Sequence, residues 1–437
     1  MKEEVAIIAG QDPDAGVQQD VNLRLEPGNG RIKKFLIVST YAPPAVSGAP
    51  LMAYNLLQYF PKDSFAILTS HVGMDDGAIA GGQRLGAKYF FFDTPKLTTV
   101  PQAQNSFFFK CKQLIRRFGL LRSLFHLLSL LYLPFNIVRR GRTIIRDEKI
   151  EHLLGYSDHG PALLSVYLLH KLTGKPFNLH FYDLYYGNNF LWFFRAVARV
   201  LEPKLFQSAT RISVMCEALG EHYQAQYGRE VTVLHNAIPF DSSRQHTPAT
   251  CHSEPYKVVF TGTIVWAQVN AVRNLVRAVE GISRPRVVLY LYTPHDKTFL
   301  ESQGLYESDR VVFARGRPRE MAAIQRSADI LFTGLSFDTP YPLLINTSSP
   351  GKTCEYLISG RPILVHAPEE SYIARYAERQ GFACVVGKNS VDLLEQGIMR
   401  LLSDRPYVEQ IVSNAWRTAL LNHSARTVSN RFRETLQ

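Results

Sequence analysis

Twice over, the chain alternates short, nearly unbroken apolar runs with stretches whose apolar residues recur at helical spacing. The first set of runs falls at 34–40, 65–68, 88–92, 150–154, 177–181, 210–215 and 231–234. The second falls at 257–261, 286–292, 311–314, 330–333, 363–365 and 384–386. A strand that is apolar on both faces has to be covered on both, which means a parallel sheet sandwiched between helices. A polar stretch, 241–254, separates the two sets. The spacing therefore predicts an α/β chain of two Rossmann-like, doubly wound domains. Ligands of such folds bind outside the C-terminal ends of the strands, so the two domains would share a cleft. A length of 437 residues exceeds what one core usually supports, and an apolar fraction of 46% excludes disorder. The predicted divisions are 1–30, 31–236, 237–406 and 407–437, the last a helical segment crossing back to the first domain. Residues 1–30 carry Lys2 and Arg24 against six acids and contain no apolar run of the length a signal peptide needs, so they read as a mobile lead and not as a signal peptide.

The net charge is +11, which points to an anionic partner. Nine of the 49 Lys and Arg residues fall between 105 and 146, where no Asp or Glu occurs, so one segment supplies most of the excess. That segment also holds the most apolar run, from Phe118 to Val138. Its charge-free part, Ser123 to Val138, is shorter than the roughly 20 residues a membrane-spanning helix needs, and Pro134 interrupts it. A basic helix with a Leu/Phe face suits an anionic membrane surface. A core helix with solvated arginines is the alternative. No zinc-finger, RRM or basic-zipper pattern supports nucleic acid as a partner.

Five cysteines without a C-x-x-C pair predict reduced thiols, a cytoplasmic location and no zinc site. Gly351-Lys352-Thr353 imitates the end of a phosphate-binding P-loop, but the first glycine of that motif would fall on Asn346. The D-x-D of the chain, Asp12 to Asp14, lies in the N-terminal lead.

The stretch from Ser348 to Leu364 is the most informative. Ser349 can cap a helix with Pro350 in its first turn, and Gly360 can stop it. Gly351 allows a close backbone approach. The helix N-terminus with Lys352 makes a seat for a diphosphate, to which Ser348 and Ser349 add donors. Glu355 projects from nearly the same side as Lys352 and can accept two hydroxyls, as a ribose offers. An ordinary capped helix with a surface Lys–Glu pair is the competing reading.

This stretch, with several others in order, resembles the family 4 retaining glycosyltransferases of the GT-B fold, over about residues 34–430. The similar pieces are the Pro- and Gly-rich loop from Tyr41 to Gly48, the segment from Val233 to Pro239, Phe260 to Thr263 with the helix from Asn274, and Gly316 to Glu320. The last is Pro350-Gly-Lys-x-x-Glu-Tyr-x-x-x-Gly-Arg-Pro362. The resemblance implies a hexosyl transfer from a nucleotide sugar, with retention, no metal and no cofactor beyond the donor. The donor base, uridine or guanosine, is left open. It implies that Lys352 meets the diphosphate, Glu355 the ribose, and Gly351, Gly262, Thr263, Arg317 and Gly48 the rest of the donor. With the basic apolar segment, it further implies a lipid-linked glycan acceptor in surface polysaccharide synthesis, on the inner face of the cytoplasmic membrane. A soluble acceptor and an inactive homologue remain as alternatives. The family often carries Glu where this chain has Thr347, which would then be the sugar contact. It often carries Arg and Lys where this chain has Thr263 and Gln268, leaving Arg273, Arg315 or Arg317 as substitutes.

In the first domain His180 and Asp183 resemble a strand that often ends in His-Asp, which would place them at the reaction centre. The positions lie on opposite faces of a strand, so one of them is structural. His159 and Glu217 follow predicted strands and are candidates for contacts in the cleft. The aromatic run from Tyr185 to Phe194 reads as core or as a second membrane-facing surface.

Overall fold

The computed structural model describes residues 32–44, 48–70, 84–92, 119–157, 161–188, 192–241 and 253–436, with the side chains of 119–127, 129–131 and 193 left out. The N-terminal lead with its D-x-D, the basic residues of 105–118, His159, Cys111, Cys251 and most of the polar 241–254 stretch lie outside these residues.

Two all-parallel sheets form where the apolar runs predict strands. The first contains β1 (Phe35–Val38), β2 (Phe65–Thr69), β3 (Lys88–Phe91), β4 (His152–Tyr156), β5 (Phe177–Phe181), β6 (Arg211–Val214) and β7 (Thr232–Val233). Their spatial order is 3-2-1-4-5-6-7. The second contains β8 (Tyr256–Thr261), β9 (Val287–Tyr292), β10 (Val311–Ala314), β11 (Ile330–Gly334), β12 (Ile363–His366) and β13 (Ala383–Val386), in the order 10-9-8-11-12-13. In each sheet the winding reverses beside the first strand, between β1 and β4 and between β8 and β11. That reversal opens a crevice above the C-terminal strand ends. The register pairs Phe35 with Phe65 and with His152 in the first sheet, and Val258 with Ile330 in the second.

Burial explains the patterning. Every residue of β1, β2, β4, β5, β11 and β12 is buried. The predicted run at 150–154 is shifted by two residues, because Ile150 still closes the preceding helix through its amide to the Ile145 carbonyl, and the ladder starts where the His152 amide meets Lys34. The helices Arg405–Thr418 and Ala425–Glu434, joined by a π-helical turn, run back from the second sheet to the first. There Phe432 packs 5.7 Å from Phe60 in an aromatic cluster with Phe35 and Phe65. Among the described residues no helix is long and apolar enough to cross a membrane.

Candidate active site

The site is built at the C-terminal end of β8. Thr261 closes the strand, and its amide and hydroxyl both lie 3.0 Å from the Tyr356 hydroxyl, which ties the short helix Thr353–Leu357 to the strand end. The next residue, Gly262, holds φ +114°, a conformation L side chains rarely adopt. Lys352 reaches across this junction. Its Nζ sits 3.4 Å from the centre of the Phe260 ring, and a Cβ on Gly262 would lie 3.7 Å from it. The ammonium is buried without a hydrogen-bond partner. Removal from water drives the Lys352 pKa down to about 7, and the charge of Glu355 opposes this only in part. Glu355 is itself raised by burial, though the Gln325 amide, which donates to its Oε2 at 2.6 Å, and the charge of Lys352 pull it back. Desolvation thus pushes both groups toward their neutral forms, and they do not make an ion pair with each other.

The helix differs from the sequence expectation. It starts at Thr353 and not at Pro350, it has five residues, and Ser349 does not cap it. Instead the Thr353 amide closes a turn on the Pro350 carbonyl, and Gly360 adopts its left-handed φ of +80° three residues past the last helical residue. A helix this short carries little dipole. The positive charge available at the site comes from Lys352.

The opposite wall comes from the first sheet. Gly48, with φ +67°, opens the helix Gly48–Leu57 after the loop that follows β1. From this helix Met52 packs against Gly351 so closely that a Cβ there would lie 2.8 Å from the Met52 methyl. Asn55 on the same helix donates to the Ala237 carbonyl at 2.8 Å, and Asn236 donates to the Ser349 carbonyl at 3.5 Å. The chain therefore brings together Ser349, Gly351, Lys352, Glu355 and Gly262, with Gly48 one helical turn before the Met52 that faces them. Thr263 follows directly and is exposed, and Ser348 is half-buried in the turn before Ser349.

Other expected residues sit elsewhere or are engaged otherwise. Thr347 is buried, its hydroxyl donates to the Leu343 carbonyl at 2.8 Å, and its own carbonyl accepts from Cys216. Its side chain is spent on the local turn and not offered to a sugar. Arg273 donates to the Gln303 carbonyl at 2.6 Å, beside Gly304 before β10, away from the strand end that holds Lys352. Gln268 accepts from the Val265 amide. Arg315 and Arg317 are exposed, and the Arg317 amide is held by Glu320.

His180 and Asp183 are not a pair. His180 lies in the core of β5 with its ring edge-on to Tyr156 and Tyr182. The Ser213 hydroxyl donates to the Leu179 carbonyl, so the proton at 2.9 Å between Ser213 and His180 belongs to the imidazole Nδ1. Burial holds the His180 pKa at about 3, and the ring stays neutral. It lines a small pocket with Met52, His235 and Asn236. Asp183 is exposed beyond the strand end. Glu217 joins the two sheets. Arg379 donates to its Oε1 at 2.8 Å and His235 lies 3.1 Å from its Oε2. Burial pushes its carboxyl up, but the His235 ring, the Glu217 amide and the Tyr372 hydroxyl outweigh burial and bring it to about 2. In the aromatic run, Tyr185 is buried while Trp192 is exposed.

Gln325, Phe260 and Tyr356 complete the site without having been expected. Phe260 and Tyr356 stand inside motifs that the sequence offers. Gln325 sits on a helical spacer that carries no such signal. Among the described residues no group of three His, Cys, Asp or Glu side chains gathers in a way that would hold a metal ion.

No family model and no curated protein matches the sequence. Solved structures do. Anabaena HepE in complex with UDP-glucose superposes with a TM-score of 0.64 at 14% identity, over 92% of this chain and 99% of that one. A glycosyltransferase from Rickettsia africae gives 0.63 at 13% identity, covering 93% and 98%. Sucrose-phosphate synthase from Thermosynechococcus elongatus gives 0.61 at 11% identity, covering 92% and 97%. The fold is GT-B. Within this GT-B fold the cluster around Lys352 stands at the end of the first strand of the second sheet, and the helix opened by Gly48 follows the first strand of the first sheet. Both are the positions where a doubly wound sheet presents its ligand crevice.

Proposed function

We propose that the chain is a retaining glycosyltransferase that moves a sugar from a nucleotide-sugar donor to an acceptor. The observation that carries this reading is the buried Lys352 ammonium, unpartnered beside the Gly262 backbone. A buried cation without a counter-ion is costly, and an entering anion removes the cost. Burial lowers the Lys352 pKa to about 7, so without an anion beside it the charged form is disfavoured. The donor diphosphate would hold it fully charged, and that charge would stabilise the departing nucleoside diphosphate as the glycosidic bond breaks. Glu355, oriented by Gln325, would accept the ribose hydroxyls. The backbone at Gly262, Thr263, Gly351 and Gly48 would let the phosphates approach, with Ser348 and Ser349 as further donors. The UDP-glucose bound by HepE supports a nucleotide sugar as donor. The acceptor in this proposal is a lipid-linked glycan of surface polysaccharide synthesis, met at the inner face of the cytoplasmic membrane. The basic apolar segment supports that choice over a soluble acceptor. The transfer would need no metal, and added EDTA would leave it unchanged.

Nucleotide release from UDP-, GDP- and ADP-sugars tests the reading. Lys352→Ala is expected to lower turnover by about 10²–10³, the usual effect of removing one preorganised charge-stabilising group. Release that survives both Lys352→Ala and Glu355→Ala refutes the assignment. Tight nucleotide binding with no release from any donor would favour an inactive homologue, the reading that Thr347 in place of a carboxylate supports.

A further inference from the structure

The helix Gly119–Asp147 presents two different faces. Ile137, Gly141, Ile144 and Ile145 pack inward, with Gly141 against Leu169 of the neighbouring helix. On the opposite side one helical stripe runs through Leu128, Tyr132, Phe135, Arg139, Arg142 and Arg146, which recur every three to four residues. Its apolar half is open to solvent, with Leu128, Tyr132 and Phe135 exposed by 56%, 51% and 69%. Its basic half forms one wall of an open groove of about 800 Å³. Lys149, Lys175 and the 57%-exposed Leu172 supply the other wall.

The groove lies at the N-terminal edge of the first sheet. Lys149 and Lys175 immediately precede β4 and β5, so the length of a five-residue strand, about 16 Å, separates this edge from the cleft. It is not part of the donor site. Arg139, Arg142, Lys149 and Lys175 make no ion pair with a described residue, while Arg146 is paired with Asp147 at 2.8 Å. Glu151, an acid that lines the groove, accepts the Lys34 amide. Favourable placement of cations at a helix C-terminus accounts for Arg146 and for Lys149, which lies in the turn that closes the helix, but not for Lys175, which comes from another segment.

We infer that this groove is a phosphate-binding site for lipid headgroups, and that it docks the protein on an anionic bilayer with the Leu128–Tyr132–Phe135 half of the stripe in the interface. This deepens the membrane part of the proposed function and is independent of the chemistry in the cleft. Exposed apolar side chains in line with the cations single out a bilayer over a soluble phosphate, which would use the cations alone.

The test is co-sedimentation of the full chain with phosphatidylcholine vesicles, with and without phosphatidylglycerol. Binding is expected with phosphatidylglycerol and not with phosphatidylcholine alone. The variant Arg139→Glu/Arg142→Glu/Lys149→Glu should bind at least roughly 100-fold more weakly, since each basic side chain at an anionic surface contributes about a fivefold factor. A control with the same charge change on exposed arginines outside the groove, Arg277→Glu/Arg284→Glu/Arg417→Glu, should bind much more tightly than the groove variant. Equal binding to both vesicle types, an unaffected groove variant, or equal losses in groove variant and control would overturn the inference. So would competition by millimolar inorganic phosphate, which would make the groove a soluble-anion site. Nucleotide release is measured on the same preparations. A protein that binds vesicles but releases nothing sinks the transferase reading and leaves the groove standing, and the reverse result does the opposite.

Discussion

Replacing Lys352 by methionine should make the protein more stable in the absence of nucleotide, and on the proposed reading it should remove donor binding. Methionine keeps the apolar stem over Phe260 and discards the buried ammonium. The fall of the Lys352 pKa from 10.5 to about 7 corresponds to roughly 5 kcal/mol of disfavour for the charged form. Below pH 7 the lysine is charged in both the folded and the unfolded chain, and the folded state bears the whole cost. Between pH 7 and 10.5 the unfolded chain binds more protons, so wild-type stability rises with pH. Above 10.5 the cost is gone. The advantage of Lys352→Met is therefore largest at pH 7 and below and fades toward pH 10.5. Thermal unfolding of both proteins across this range gives the difference directly. Calorimetric titration with UDP at pH 8, in buffers of different ionisation enthalpy, should show uptake of about one proton by wild type and none by the variant. A variant less stable than wild type at pH 6.5 would mean that Lys352 has a partner and is not an unsatisfied cation. UDP affinity that survives the substitution would remove Lys352 from the diphosphate site.

Gln325→Leu should raise the donor KM by about tenfold with kcat little changed, because a hydrogen bond to a charged group contributes about 1.5–3 kcal/mol. It should also move the acid limb of the pH profile upward, since Gln325 is what pulls the buried Glu355 carboxyl down. Thr347→Val should cost about 1 kcal/mol in urea unfolding, the value of its hydrogen bond to Leu343, with turnover intact, whereas a tenfold loss of turnover would restore Thr347 as a sugar contact. Glu217→Gln should destabilise the protein by about 1–2 kcal/mol above pH 5, modest because Arg379 is half exposed. The folded pKa of Glu217 is depressed to about 2, so its contribution disappears as the pH falls from 4.5 toward 2, and the two unfolding curves should converge there.

The sheets were legible because burial on both faces leaves a strong mark. Residues 35–38 or 363–365 are apolar whatever their exact register, whereas the strand order is set by long-range packing and carries no such mark. The site was legible where backbone geometry restricts residue choice. Gly262 at positive φ and Gly351 under Met52 stand in places where a Cβ is strained or crowded. It was not legible where long-range contact decides. Nothing near Gln325 in the chain announces that its amide meets Glu355, 30 residues on. Residues 180 and 183 resemble a strand end that carries His-Asp, although their spacing already puts them on opposite faces. The end of β5 falls between them, so the histidine stays in the core and the aspartate leaves it. The helix after Pro350 looked longer in sequence because Ser349, Pro350 and Gly360 are all good boundary residues. The turn from Pro350 to Thr353 uses up its first positions.

The excess positive charge and the proposed anion chemistry of the cleft turn out to be separate matters. The cleft holds a lysine that burial has brought close to neutrality, and the arginines that might have joined it are tied to Gln303 or exposed on the surface. The unpaired cations of the 119–147 helix stand instead at the other edge of the first sheet, in water, where an anion can reach them without desolvating a buried group. Each arrangement suits a different task. A buried lysine close to neutrality lowers the stability of the fold and, in the proposed reading, would gain its full charge only when a diphosphate arrives, which ties charge to the presence of the donor. Exposed arginines act on a neighbouring anionic surface at all times, but within about a Debye length and subject to salt. In the proposed reading one chain would hold a permanent attraction toward a membrane and a conditional one toward a nucleotide, because burial and not residue type decides which is which.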